Sequence, residues 1–176
     1  MSHGAAEGML DSHLAVGSYA DPVLRDLLHQ YKYEGIEEAG VVLNVFFRTF
    51  LDTHAHILHT YADMHVIASP LHWFRRSMRG FNQAKIFADT AADRLGASVY
   101  DGILHRSFSR RSQVSMDDPE ARERNVRGSM LVDREISGDW LVVDDVYTTG
   151  ATLRECASAL RRAGASHVHA ITMLRG

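Results

Sequence analysis

Cysteine occurs once in this sequence, at position 156, so the chain can form no internal disulfide and can build no zinc site from several thiolates. A reducing compartment fits that scarcity. No stretch approaches the roughly 18 consecutive apolar residues of a membrane span. The N-terminus, MSHGAAEGMLDSHLAVGS, lacks the positive cluster and apolar run of a secretory signal. These absences predict a soluble, cytoplasmic protein without a membrane partner. Net charge is also small, at −3, which argues against a globally basic coat for nucleic acid and leaves any anion site to be local. Lysine is scarce too: of 19 basic residues only Lys32 and Lys85 are lysine. The arginines offer planar forks suited to phosphate oxygens.

A chain of 176 residues, 45% of them hydrophobic, suits one compact domain with one core. Residues 1–18, with Gly4, Gly8 and Gly17, read as a flexible tail followed at best by an edge strand. Residues 19–176 read as a single domain whose portion 19–61 is helical. Asp21 and Pro22 are a helix start, because the Asp side chain caps unpaired N–H groups and Pro lacks the donor that would go unused there. Val23, Leu24, Leu27, Leu28 and Tyr31 mark one face, and Gly35 can end the helix. A second helical stretch, about 37–61, places Val41, Val42, Val45, Phe46 and Phe50 at spacings of three and four, which predicts its apolar face. His54, His56 and His59 at its far end read as a solvated surface, since only the last two share a face and no acidic neighbour completes a ligand set.

The pattern then changes to short apolar runs alternating with amphipathic helices: strands over 65–69, 102–105, 130–132, 140–143 and 167–174, and helices over 81–95 and 153–163. This predicts an α/β fold with a central, mainly parallel sheet flanked by helices. The arginine-rich, polar stretch 106–128 reads as a mobile loop, with one short helix near Asp118, Pro119 and Glu120.

The run Leu141-Val-Val-Asp-Asp-Val-Tyr-Thr-Thr-Gly-Ala-Thr-Leu153 carries the most chemistry. An apolar strand leads into Asp144 and Asp145 where it leaves the sheet, then into a hydroxyl-rich turn that opens a helix. A helix N-terminus presents unpaired N–H groups and partial positive charge to a phosphate. Gly150 allows close backbone approach, Ala151 is small, and Thr148, Thr149 and Thr152 add hydroxyl donors. Adjacent carboxylates suit the vicinal diol of a ribose and can help hold Mg²⁺ through water. A buried strand ending in a polar turn explains the acids but not the threonines and glycine. Neither the G-x-x-x-x-G-K-[ST] nor the G-x-G-x-x-G phosphate motif is present.

The segment Asp144–Thr152, preceded by hydrophobic residues, resembles the phosphoribosyl diphosphate signature of type I phosphoribosyltransferases. Ser69-Pro70-Leu71, Arg79-Gly80-Phe81-Asn82-Gln83, Arg106, Gln113, Arg122, Asn125-Val126-Arg127-Gly128 and Tyr31-Lys32-Tyr33-Glu34-Gly35 are similar to the ComF/GntX branch of that family. Proteins of that branch commonly begin with a four-cysteine zinc module, which this sequence lacks. The resemblance implies that Ser69, Pro70, Leu71, Arg79 and Arg106 meet the diphosphate. It also implies that Gln113 and Arg122 belong to a flexible loop, with 107–125 as a candidate lid. The activity implied is transfer of ribose 5-phosphate to a nitrogen nucleophile with Mg²⁺ as cofactor, or a noncatalytic role in DNA uptake or regulation. Phosphoribosyl diphosphate, a nucleoside monophosphate or single-stranded DNA would be the partner, and a homodimer is compatible. The arginines at 75, 76, 79, 106, 110 and 111 read as partners of diphosphate or of nucleic-acid phosphates, and a solvated loop also explains some of them. Only the N-terminal helices are left to form a hood that selects the acceptor.

Overall fold

The computed structural model describes residues 10–58, 61–71, 81–106 and 129–176. Four parallel strands form the main sheet, in the order β1 (Ser12–Ser18), β6 (His167–Arg175), β5 (Asp139–Tyr147), β2 (His65–Ala68). Helices lie on both faces, so the sequence-based fold class holds. Two short strands, β3 (Leu104–Arg106) and β4 (Met130–Val132), pair antiparallel in a separate ribbon.

The two inner strands are buried on both faces and therefore read as nearly continuous apolar runs. Alternate residues of β5 and β6 serve different cores. Leu141, Val143, Ile171 and Met173 pack against α1 (Pro22–His29), α2 (Glu37–Thr53) and α4 (Gln83–Leu95). Trp140, Val142, Val168 and Ala170 pack against α5 (Ala151–Arg162) and the β3–β4 ribbon.

Local signals set most boundaries as expected. Asp21 accepts hydrogen bonds from the N–H groups of Val23 and Leu24, with Pro22 at the first helical position. Asn82 caps α4 through the Ala84 N–H, and Gly96 ends it in the left-handed conformation.

Four sequence expectations are corrected. Residues 12–18 are no loose tail: they are the edge strand, aligned from Ser12↔His169 to Ser18↔Arg175, with Leu14 and Val16 packed on the core. Backbone pairing needs no large side chains, so small residues concealed it. The helix expected over 37–61 stops at Thr53, and α3 (Ala55–Leu58) is a separate turn. Its apolar face was misassigned. Leu43 and Phe47 are completely buried with Ala39, Gly40 and Leu51, while Val45 is 55% and Phe46 48% exposed and Val41 and Val42 are exposed as well. Two apolar stripes run along α2, and spacing alone does not say which one meets the sheet. Finally, β5 continues to Tyr147, four residues past the strand end expected at Val143.

Among the described residues no helix is long and apolar enough to cross a membrane.

Candidate phosphoribosyl site

Pairing of β5 with β2 ends at Ala68↔Val143, while pairing with β6 runs on through Asp144↔Thr172 to Tyr147↔Arg175. Asp144 and Asp145 therefore sit inside a strand that has lost its neighbour on one side. Strand alternation sends them apart, Asp144 toward α5 and Asp145 toward the N-terminal helices. Both are nearly buried.

Asp144 lies against Ser69, whose main-chain N–H donates to the Val143 carbonyl at 2.8 Å and whose hydroxyl donates to the Asp144 carboxylate. Its Oδ1 also accepts the Asp145 N–H at 2.8 Å. Burial, followed by the charge of Asp145, pushes the Asp144 carboxyl up to about 7 against the pull of these hydrogen bonds and of Lys32. Asn82 donates to the Ser69 carbonyl at 2.9 Å, tying the loop after β2 to the start of α4. Ser69 is buried, with Pro70 and Leu71 half-buried beside it.

Asp145 has a partner that the sequence did not assign. The ammonium of Lys32 lies 2.7 Å from its Oδ1, and the two side chains are only 14% and 13% exposed. Lys32 sits in a π-helical turn, Gln30–Glu34, that follows α1 and ends at Gly35 in the left-handed conformation. The adjacent Tyr31 is buried against Phe81, with ring centroids 5.3 Å apart. Burial first, then the charges of Asp145 and Glu37, raise its hydroxyl to about 12. A signal was available: Lys32 stands four residues after Leu28, at the inner edge of the apolar face, where a solvated lysine would not be placed.

The turn after the acids has the expected form. Gly150 is the N-cap of α5 at φ 75° and has no side chain to cap the helix; the Ala151 N–H donates weakly to Thr149 Oγ1 at 3.4 Å, and the first turn faces the loop. A Cβ on Gly150 would lie 2.5 Å from the Tyr147 hydroxyl. Thr148 and Thr149 are exposed, and Ala151 and Thr152 half-buried. Arg154, also unassigned by sequence, donates from a guanidinium nitrogen to the Thr149 carbonyl at 2.8 Å and braces the loop. On the far side, His13 stacks on Tyr147 at 4.3 Å and hydrogen bonds through Nε2 to Thr172 Oγ1 at 2.9 Å, while the Arg175 guanidinium lies over the same tyrosine ring.

Cys156 in α5 has its thiol pushed up by burial and then by the charge of Asp144, against the opposing pull of Arg106 at the end of β3. The structure thus gathers Asp144, Asp145, Ser69 and the loop 147–152 at one end of the sheet, with Arg106 on the α5 side. Arg79, Gln113 and Arg122 lie outside the described residues, as do the arginines at 75, 76, 110 and 111, His59 and the lid candidate 107–125. His54 uses Nδ1 on the Phe50 carbonyl at 2.9 Å.

Direct coordination of Mg²⁺ by both carboxylates does not fit this arrangement. Such an ion needs oxygens at about 2.0–2.1 Å in a near-octahedral array. Asp145 instead carries an ammonium, and Asp144 diverges to the other face. Contact through water, the form suggested by the sequence, makes no such demand. Among the described residues no group of three or more His, Cys, Asp or Glu could hold a metal ion.

No protein-family model matches the chain. It is similar to the competence protein ComFC of Streptococcus pneumoniae, 27% identical over 171 residues, covering 96% of this chain and 70% of the relative. It is likewise similar to the competence protein ComFC of Bacillus subtilis, 27% identical over 173 residues, covering 95% of this chain and 65% of that protein. The DNA utilization protein YhgH of Escherichia coli is 28% identical over 166 residues, with 92% and 71% covered. The chain thus spans about two thirds of the length of these relatives, and the similarity supports the ComF side of the resemblance read from the motifs.

Proposed function

We propose that this chain is a cytoplasmic phosphoribosyltransferase that binds phosphoribosyl diphosphate at the end of β5. The observation that carries the reading is the start of α5 at Gly150, a left-handed N-cap without a side chain, in the turn that follows two nearly buried carboxylates. The 5′-phosphate accepts hydrogen bonds from the loop N–H groups and threonine hydroxyls at the positive end of α5. The ribose hydroxyls donate to the carboxylates. The diphosphate lies toward Ser69, Pro70 and Leu71, with Arg106 and Arg79 as its basic partners.

In the transfer, the C1–O bond to diphosphate breaks and the leaving group takes the electron pair. A nitrogen lone pair forms the new bond at C1 and that nitrogen releases its proton to solvent. The sugar has oxocarbenium character in between, and the basic partners stabilise the departing diphosphate. Asp144 and the diphosphate would hold Mg²⁺, the carboxylate through water, and the ion would supply positive charge to the departing diphosphate. Calorimetry tests the site: Asp144→Asn with Asp145→Asn should weaken phosphoribosyl diphosphate binding sharply in a folded protein, and unchanged affinity would remove the assignment. Diphosphate release across a panel of bases and amines tests the chemistry.

A second reading is that the same ligand site serves DNA uptake or use without catalysis, with which the names of the relatives, a competence protein and a DNA utilization protein, are compatible. Ligand binding with no diphosphate release on any acceptor, together with salt-sensitive binding of single-stranded DNA, would favour it.

A further inference from the structure

The chain has two lysines, and they are placed very differently. Lys85 bridges Asp89 and Asp101 on the surface, with its side chain 46% exposed. Lys32 is held inside the candidate site, its ammonium on Asp145. The π-helical turn sets that position, because Tyr31 is locked between Gly40 and Phe81 and the next side chain is turned toward the end of β5.

We propose that Lys32 is the resident cation of the acid pair, its ammonium taking at Asp145 the place in which a divalent ion would otherwise balance the carboxylates, so that the ribose 5-phosphate half of the site binds without metal. This rests on the phosphoribosyl reading above and deepens it, by assigning the metal requirement to the diphosphate half alone. The geometry points this way for three reasons. A cation is already at hydrogen-bond distance from Asp145. The carboxylates diverge, so one divalent ion cannot ligate both without rearranging β5. An ammonium has three donors, so Lys32 can hold Asp145 and a ribose hydroxyl oxygen together.

The test uses the full chain and its Lys32→Met and Lys32→Arg variants. Ribose 5-phosphate binding is measured by calorimetry in chelator and in Mg²⁺, and Mn²⁺ binding to ligand-free protein is followed by electron paramagnetic resonance. Wild-type affinity should be the same within about twofold with and without Mg²⁺. Lys32→Met should lose about tenfold in metal-free affinity, whereas Lys32→Arg should keep metal-free binding. Wild-type affinity that rises about tenfold with Mg²⁺, unchanged in Lys32→Met, would overturn the role of Lys32 and leave the phosphoribosyl reading standing. Binding of ribose 5-phosphate to none of the folded proteins would remove that reading and this proposal with it. Should Lys32→Met not fold, tight Mn²⁺ binding by the wild type, or loss of metal-free binding in Lys32→Arg, overturns the proposal, and the opposite results support it.

Discussion

Gly40 and Tyr31 are packed so closely that a Cβ at position 40 would lie 2.4 Å from Cε2 of the tyrosine ring. Gly40 lies within α2, where alanine would ordinarily gain about 1 kcal/mol of helix propensity. Here the overlap decides the sign, because the ring is buried and backed by Phe81 and cannot swing away. Gly40→Ala should destabilise the protein by about 1–3 kcal/mol. It should also weaken ligand binding, since Tyr31 seats the turn that carries Lys32. Denaturant melts and calorimetry on the one variant measure both.

The ion pair between Lys32 and Asp145 is nearly buried, so removing one partner leaves a charge with little water. Lys32→Met should cost about 3 kcal/mol of stability, whereas Lys32→Met combined with Asp145→Leu should recover most of it. A double-mutant cycle reads the coupling. Additive losses would mean that the two groups do not sense each other.

Gly150→Ala meets two obstacles, a left-handed backbone and the Tyr147 hydroxyl. The backbone term is about 1–2 kcal/mol. Adding Tyr147→Ala should relieve the clash but not the backbone cost, so the double variant should recover only part of the stability and of the phosphate binding.

Asp144 gives stability a pH dependence of definite sign. Below about pH 4 the carboxyl is protonated in both folded and unfolded chains. Between there and about pH 7 the folded chain keeps a proton that the unfolded chain has released, so stability falls as pH rises. The slope from this group is at most about 1.4 kcal/mol per pH unit. His13 opposes it: burial and Arg175 hold its ring below the ordinary histidine range, so its contribution is present above about pH 6.5 and is lost as pH falls. Relative to wild type, Asp144→Asn should become progressively more stable from pH 5 to 7, and thermal melts at fixed ionic strength would show it.

The two stripes of α2 can be told apart by truncation. Leu43→Ala should cost about 2–5 kcal/mol, because the side chain is completely buried. Val45→Ser should stay within about 0.5 kcal/mol. Equal effects would place both stripes in the core.

Much of the site was legible because it is local. The strand, acid pair, hydroxyl-rich turn and helix start lie within thirteen consecutive residues, and backbone geometry converts that order directly into a strand, turn and helix start. The fold class was legible for a similar reason, since alternating strand and helix periods admit few arrangements. What escaped was set by contacts distant in sequence. Lys32 and Asp145 are brought together only when the N-terminal helices dock on the sheet: the spacing from Leu28 marks Lys32 as inward-facing but does not name its partner. Likewise, β1 is a strand because β6 offers it backbone partners, and α2 buries Leu43 and Phe47 because α4 covers that side. The sequence by itself determined the turn from β5 into α5 and the layered α/β class through short-range geometry. Tertiary packing alone decided which apolar stripe became core, that pairing with β6 carries β5 through both carboxylates, and that a lysine sits on one of them.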